Sequence, residues 1–290
     1  MANPLLLRYL AGVGKDVWRH LPPNAYESFA VQDLGHLIHR LVCRFSERSQ
    51  TTATYFLRNV PLIQTLGELV PDLNTDGNLK MVSMGCSSGA EVYSFAWLMR
   101  KLNPDVKFAI TGLDISADAI EAAKAATYQP ESYELRKELP LEIFEQLFDS
   151  SAGQLRVKPC ITQGIRWLVA NASDPNLVDC IGVQDIVLAN NFLIHMKDCE
   201  ARRCMAAILR LVRPGGLFLC RGVDLKVRES VVRDAGLQPI TTRIEEIHNA
   251  DPTLDAPSLW PWKYCGLEPL DKTRRNWPAR YAAIFRKPYA

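Results

Sequence analysis

The 290-residue sequence has no C-x-x-C pair, no cysteines and histidines at zinc-binding spacing, no internal repeat and no low-complexity tract. Its eight cysteines (Cys43, Cys86, Cys160, Cys180, Cys199, Cys204, Cys220 and Cys265) are scattered, most of them on apolar stretches. That pattern argues against a metal site and reads as inert core thiols in a reducing, cytoplasmic setting. Charge of one sign is also lacking: the formal net charge is only +2, which gives no reason to expect a nucleic-acid or membrane-surface partner. No apolar run approaches the length needed to span a bilayer. The N-terminal run Pro4-Leu5-Leu6-Leu7, cut short by Arg8, is too brief for the apolar region of a signal peptide. What remains is 48% hydrophobic and 23% charged, enough for a full-sized core in one large domain or a main domain with a smaller appendage.

Two regimes follow one another along the chain. Residues 1–75 read as a helical N-terminal subdomain. A helix is expected from near Asn24, after Pro22-Pro23, with an apolar face of Val31, Leu34, Leu37, Ile38, Leu41, Val42 and Phe45. A shorter helix is expected over Val60–Leu69. From Lys80 the pattern alternates, with strands at Met81–Met84, Val106–Leu113, Trp167–Ala170, Ile186–Ala189 and Leu217–Arg221. Helices are expected at Glu91–Arg100, Ala117–Ala126 and Glu200–Val212, with Pro214-Gly215-Gly216 as the turn that launches the last of these strands. Such alternation predicts a parallel sheet covered on both faces, so residues 76–290 read as one α/β domain.

Two segments break the pattern. Residues 128–165 contain a helical piece, Leu141–Phe148, then β-like stretches at Leu155–Val157 and Cys160–Thr162, a small insertion placed near 150–165. The tail offers strands at Pro239–Ile247 and Arg280–Arg286, separated by a Trp- and Pro-rich loop over 248–278. A loop of that length inside a domain is more often functional than decorative.

The strand at Met81–Met84 runs through a tight turn, Gly85-Cys86-Ser87-Ser88-Gly89-Ala90, straight into a helix beginning at Glu91. Backbone N–H groups and the helix dipole point into such a turn, which makes a nucleotide pocket. The next strand ends in Asp114, where an acid can accept hydrogen bonds from ribose hydroxyls. A third glycine is missing, against a dinucleotide fingerprint, and no Gly-Lys-Ser/Thr follows, against a P-loop. Two glycines and a ribose acid suit an adenosine ligand without a pyrophosphate, with S-adenosylmethionine as the leading candidate. Asn171 and Asp174 are placed to read an adenine edge.

These residues also carry a family resemblance. Gly85-Cys86-Ser87-Ser88-Gly89-Ala90-Glu91-Val92-Tyr93-Ser94 resembles the A-C-S-T-G-E-E-P-Y-S signature of the chemotaxis-receptor glutamate methyltransferases, the CheR family. Thr54-Tyr55-Phe56-Leu57-Arg58 is similar to that family's T-x-F-F-R segment, and Leu113-Asp114-Ile115-Ser116 to its S-D-I-D motif. Trp167 to Asn171 matches F-x-x-x-N, and Asp185 to Met196 resembles D-x-I-F-C-R-N-V-x-I-Y-F. Order and spacing hold from about residue 50 to 222. The resemblance implies a class I methyltransferase, Rossmann-like α/β fold: a mostly parallel seven-stranded sheet, helices on both faces and an N-terminal helical subdomain. It implies a cofactor site of Arg58, Gly85, Glu91, Asp114, Asn171 and Ala172, joined by Cys86, Ser87, Gly89, Ile115 and Asn190 from the same motifs. Arg58 would lie near the transferring methyl.

The tail from Glu245 to Trp262 has no counterpart in the family pattern, so the cofactor half reads as kept and the acceptor half as rebuilt. Three single departures add to this. His195 stands where the family has tyrosine, Asn190 where it has the arginine of its R-N pair, and Ala90 where it has the first glutamate. A carboxylate acceptor needs no base, only cations that hold it; an amine or guanidinium arrives protonated and needs carboxylates and a base. Histidine titrates near neutral pH, so the exchange at 195 favours the second case. Arg58, His195, Glu245 and Glu246 are therefore the candidate catalytic residues, and Tyr55, His195, Asp251, Trp260 and Trp262 the candidate substrate residues. The tryptophans would attract a cation through their ring faces. The favoured acceptor is a small cationic or amino-acid-like molecule. The alternatives are a protein glutamate side chain, as in chemotaxis, or a catalytically silent S-adenosylmethionine-binding regulatory module.

Overall fold

A computed structural model of the chain describes residues 4–45, 48, 51–73, 77–136, 139–151, 153–251, 260–262 and 267–289. Helices α1 (Pro4–Arg19), α2 (Phe29–Phe45) and α3 (Val60–Leu69) come first. There follow β1 (Asn78–Met84), α4 (Ala90–Leu102), β2 (Lys107–Asp114), α5 (Ala117–Ala125), β3 (Thr127–Tyr128), α6 (Leu141–Leu147), β4 (Phe148–Ser151) and β5 (Gln154–Val157). Next are α7 (Pro159–Thr162), β6 (Ile165–Val169), α8 (Leu177–Ile181), β7 (Gln184–Asn190), α9 (Asp198–Leu211) and β8 (Val212–Arg221). The chain closes with α10 (Leu225–Asp234), β9 (Gln238–Pro239), α11 (Ile244–Asn249), α12 (Trp277–Tyr281) and β10 (Ile284–Arg286).

Seven strands form one sheet in the order β6-β2-β1-β7-β8-β10-β9, parallel except for β10, which runs against both neighbours. This is the Rossmann-like sheet the resemblance implies. Its two faces carry separate apolar layers, because successive strand residues point to opposite sides. Met81, Ile186 and Leu217 join Leu66 and Phe95 on one face, while Val82, Val187 and Phe218 join Ile208 and Phe285 on the other. Each of these side chains is almost fully buried, worth about 1.5–3 kcal/mol apiece relative to exposure. Local signals start the helices: Asn59 Oδ1 accepts the Leu62 N–H at 2.9 Å before α3, and Ser116 Oγ accepts the Ala119 N–H at 3.2 Å before α5. Glu200 reaches back to the Lys197 N–H at 3.1 Å to close the first turn of α9.

Several expected elements take another form. The chain from Pro23 to Glu27 is a 3₁₀ turn, and α2 starts only at Phe29. The stripe expected to be its buried face is largely exposed at Leu34, Leu37, Leu41 and Phe45. The side facing inward is Gly35, His39 and Cys43, because the rings of Trp260 and Trp18 lie where a side chain at Gly35 would stand, 2.7 and 2.9 Å from its Cβ position. Residues 240–247 are not a strand: β10 offers three residues, β9 pairs with two of them, and a left-handed Arg243 turns the chain into α11. Residues 160–162 form a helical turn opened by Pro159, whose missing N–H suits a first helical position. Residues 277–281 are likewise helical, with only Ile284–Arg286 extended. Pro214-Gly215-Gly216 sits inside β8 as an irregularity opposite Asp185, between the pairs Gln184–Val212 and Ile186–Leu217.

The interruption between α5 and β6 is larger than expected: β3, β5 and β4 form their own antiparallel sheet over residues 127–157. The chain from Phe56 to Leu73 shares the apolar layer of Met81 and Phe95 rather than belonging to α1 and α2. Among the described cysteines, Cys43, Cys86, Cys204 and Cys220 are buried, whereas Cys160, Cys180 and Cys199 are exposed rather than core thiols. Cys265, and residues 252–259 and 263–266 of the expected tail loop, lie outside the described residues. Among those described, no helix is long and apolar enough to cross a membrane.

Candidate active site

The chain winds from β1 outward through β2 to β6, then returns to place β7 on the other side of β1. Such a switch point leaves a crevice beyond the carboxyl ends of the strands. Here it is a cleft of about 370 Å³. Gly85, Ser87 and Glu91 line it from the turn after β1, Asp114, Ile115 and Ser116 from the end of β2, and Asn171, Ala172 and Ser173 from the loop after β6. Asn190, Asn191, Phe192, His195 and Glu200 come from the β7 side, and Thr51–Thr54 with Arg58 close the front.

The turn is held open by its backbone. Gly85 has φ +63°, and a Cβ there would lie 2.9 Å from the Phe192 side chain, so only glycine fits. Ser87 also adopts positive φ (+51°). Asp114 stabilises this conformation: its Oδ2 accepts the Ser87 N–H at 2.8 Å and its Oδ1 the Ser116 N–H at 2.9 Å. Each oxygen keeps a further lone pair, which leaves acceptor capacity for hydroxyl donors. The small sheet locks the turn from behind. Tyr128 donates from its hydroxyl to the Ser88 carbonyl at 2.6 Å, and Ser88 Oγ donates to Glu134 at 2.7 Å. Phe56 packs edge-on against Tyr128 and Phe148 at 5.0 and 4.8 Å, which fixes the segment that delivers Arg58.

Charges gather at the other end of the cleft. Glu91, in the first turn of α4, accepts from Asn190 Nδ2 at 2.5 Å. Burial pushes its carboxyl above the usual range; the Asn190 hydrogen bond and the nearby Arg58 and Arg221 guanidinium groups pull the other way. Arg58 Nε and Asn190 Oδ1 are buried with no hydrogen-bond partner among the described residues. His195 Nε2 lies 3.4 Å from Thr51 Oγ1. The loop carrying His195 is tied to the N-terminal segment by Arg48, which donates to the carbonyls of Met196, Ile194 (3.3 Å) and Cys43 (2.7 Å).

The family model for the CheR methyltransferase, SAM binding domain, matches residues 52–230. The chain belongs to the CheR methyltransferase family. A probable biofilm formation methyltransferase, WspC of Pseudomonas aeruginosa, is 26% identical over 192 residues, covering 64% of this chain and 44% of that protein. A chemotaxis protein methyltransferase, Cher2 of Pseudomonas putida, is 26% identical over 213 residues, covering 67% and 76%. A chemotaxis protein methyltransferase of Vibrio anguillarum is 29% identical over 179 residues, covering 58% and 63%. The chain spans less than half the length of the two WspC relatives it matches.

The family's cofactor is S-adenosylmethionine, and the cleft fits it. The unpartnered donor Arg58 Nε and acceptor Asn190 Oδ1, with the Glu91 carboxylate, form an end suited to a zwitterionic amino acid. Asp114 and the exposed Ile115 form an end suited to a ribose and an apolar ring face.

The other residues singled out from sequence fall in different places. Cys86 and Gly89 do not line the cleft. Cys86 is buried beneath the turn, where desolvation and the Asp114 charge push its thiol well up, and Gly89 (φ +87°) starts α4 beneath Trp167. Tyr55 is buried, its ring under the Arg58 and Arg136 guanidinium groups at 5.2 and 4.1 Å. Glu245 and Glu246 are not brought to the cleft: on α11 they pair with Lys272 and Arg243. Asp251 is buried in an ion pair with Arg221. Trp260 packs between His36 and His39 of α2, and the Trp262 ring lies against Gly14 of α1. Thr51, Thr52, Asn191, Phe192 and Glu200 were not singled out from sequence. Asn191 and Phe192 stand inside the β7 motif, a signal that was there to use; nothing local marks the threonines.

Proposed function

We propose that this protein is an S-adenosylmethionine-dependent methyltransferase that forms a methyl ester on a carboxylate of a protein acceptor. The observation that carries this reading is the charge lining of the cleft. The carboxylates expected to hold a cationic acceptor, Glu245, Glu246 and Asp251, are engaged elsewhere. Those that do line the cleft already accept hydrogen bonds: Glu91 from Asn190, Asp114 from two backbone N–H groups, and Glu200 from the Lys197 N–H. The group left with unused donor capacity is the Arg58 guanidinium. A cleft whose acids each already accept a hydrogen bond, while the Arg58 Nε–H has no hydrogen-bond partner among the described residues, suits an anionic acceptor in place of the cationic one favoured from sequence.

When bound, the cofactor would supply an electrophilic methyl for displacement by a carboxylate oxygen, a reaction that calls for no proton transfer by the chain. The chain's contribution is alignment and electrostatics. Asp114 would hold the ribose end and Glu91 the ammonium. Arg58 orients the incoming carboxylate without removing its nucleophilic lone pair, and His195, beside Thr51, adds a donor on the acceptor wall. Two relatives named as chemotaxis protein methyltransferases support a protein acceptor. Incubation with the methyl-labelled cofactor and protein acceptors tests the reading. Methyl esters release labelled methanol in mild alkali, so label that survives alkali, on nitrogen, would overturn it.

A further inference from the structure

Asn190 and Arg221 are register partners on the adjacent strands β7 and β8, at the ends that open into the cleft. Asn190 carries the hydrogen bond to Glu91 in the position where the resembling motif has arginine. The cation on this chain stands one strand over. Arg221 is 4% exposed and donates from Nη2 to Asp251 Oδ2 at 3.0 Å, with Asp251 itself 6% exposed. The strand ends are pinned: the Asn191 N–H donates to the Arg221 carbonyl at 2.8 Å, and a Cβ at Gly222 would meet the Asn191 Cα at 2.5 Å. Asp251 follows α11, which is fastened to the Arg58 segment by Asn59 Nδ2 donating to the Ile247 carbonyl at 2.8 Å.

A buried ion pair is a poor stabilising device, since desolvation offsets most of the attraction. Its value lies in what it faces. Around Glu91 stand Arg58, from the segment before α3, Arg221 from β8, and the Cys86 thiol from the turn. Around Arg221 stand Asp251, Arg58, Glu91 and Tyr55, with Arg228 and His248 behind. The sequence of charges from the cleft inward is therefore minus, plus, minus.

We infer that Arg221, held from behind by Asp251, is a positioning residue that fixes Glu91 as the acceptor for the cofactor's ammonium group. This rests on the S-adenosylmethionine reading of the cleft. It makes the segment after β9, outside the matched residues 52–230, part of the cofactor site's support. Without Arg221, Glu91 would lose one of two cations that oppose its protonation in a buried setting, and a neutral carboxyl holds an ammonium poorly.

The test uses calorimetry with two ligands: S-adenosylhomocysteine, and methylthioadenosine, which has the same nucleoside but no amino-acid part. Arg221→Met should weaken S-adenosylhomocysteine about tenfold or more near pH 7. Methylthioadenosine should stay within about twofold, since it never meets Glu91. The loss should shrink as pH rises, and Arg221→Lys should restore most of the affinity. Equal losses for both ligands, or no loss for S-adenosylhomocysteine, would overturn the inference. If Arg221→Met does not fold, Asp251→Asn replaces it and must show the same selective loss; equal losses again refute it. Failure of the unaltered protein to bind either ligand would instead sink the cofactor reading.

Discussion

Asp114 is the residue whose removal separates folding from binding most cleanly. The residue is 8% exposed, and its carboxylate accepts two backbone N–H groups, from Ser87 at 2.8 Å and Ser116 at 2.9 Å. Hydrogen bonds to a charged group contribute about 1.5–3 kcal/mol each, and the abandoned N–H groups add a desolvation cost. Asp114→Ala should therefore destabilise the fold by about 3–5 kcal/mol. For a chain of this size, roughly 2 °C per kcal/mol gives a melting temperature lower by about 6–10 °C. Asp114→Asn keeps the shape and one oxygen, so it should lose less than half of that stability. Binding behaves differently. Ribose hydroxyls would donate to the charged carboxylate, and neutralising it should cost about 2–3 kcal/mol, a roughly 30- to 150-fold weaker affinity for S-adenosylhomocysteine. Calorimetry gives the affinity and thermal melting with and without ligand gives the stability. Near-normal binding by a folded Asp114→Asn protein would refute the ribose role and leave Asp114 as a support for the turn alone.

Other outcomes follow from separate sites. His248 is 3% exposed, and burial brings its pKa down to about 4, against the opposing hydrogen bond from its ring to the Glu268 carbonyl. Its unfolded value is about 6.5, so the unfolded state binds the extra proton between those limits, and stability should fall by roughly 3 kcal/mol as pH drops from about 6.5 to about 4. Urea titrations across that range check this, and an equally steep acid limb in His248→Gln would contradict it. Gly112→Ala would place a Cβ 2.2 Å from the Trp167 ring, and overpacking of this kind should cost about 1–3 kcal/mol, read as a lower urea midpoint. His195→Ala should slow turnover about tenfold or more while cofactor affinity stays within about twofold, because the proposed reading puts His195 on the acceptor wall. Unchanged turnover would remove His195 from the mechanism.

What could be read from the sequence was what neighbours in sequence decide. The run Met81–Met84, the Gly85 turn and the helix after it are fixed by local backbone preference and by an apolar strand buried on both faces. Asp114 and Asn171 follow from the positions of strand ends, and the motif spacing ties them to one crevice. Glu245 and Glu246 were misplaced because their surroundings depend on a long-range fact: β10 offers only three residues for pairing, so the tail curls into α11. Trp260 and Trp262 read as a substrate cage from composition alone, yet the absence of a side chain at Gly35 and Gly14 lets them pack on the N-terminal helices. The reversed face of α2 has the same origin. Periodicity marks an apolar stripe, but the partner's shape decides which side is buried.

The two halves of the cleft differ for a physical reason. The donor half is built on the ends of β1, β2 and β7, whose positions are fixed by the sheet register, so a motif in the sequence is already a geometry. The acceptor half, on the proposed reading, is built from Thr51–Thr54 and from the turn carrying Phe192 and His195, segments far apart in the chain. They are joined by Arg48, whose guanidinium gathers the carbonyls of Cys43, Ile194 and Met196 and stands 3.7 Å from Asp198. On the proposed reading, acceptor choice depends on this junction rather than on the tryptophan-rich tail. The tail acts on the donor side, through Asp251 and Arg221. Exchange of Asn190 for an arginine would then put a third cation beside Arg58 and Arg221.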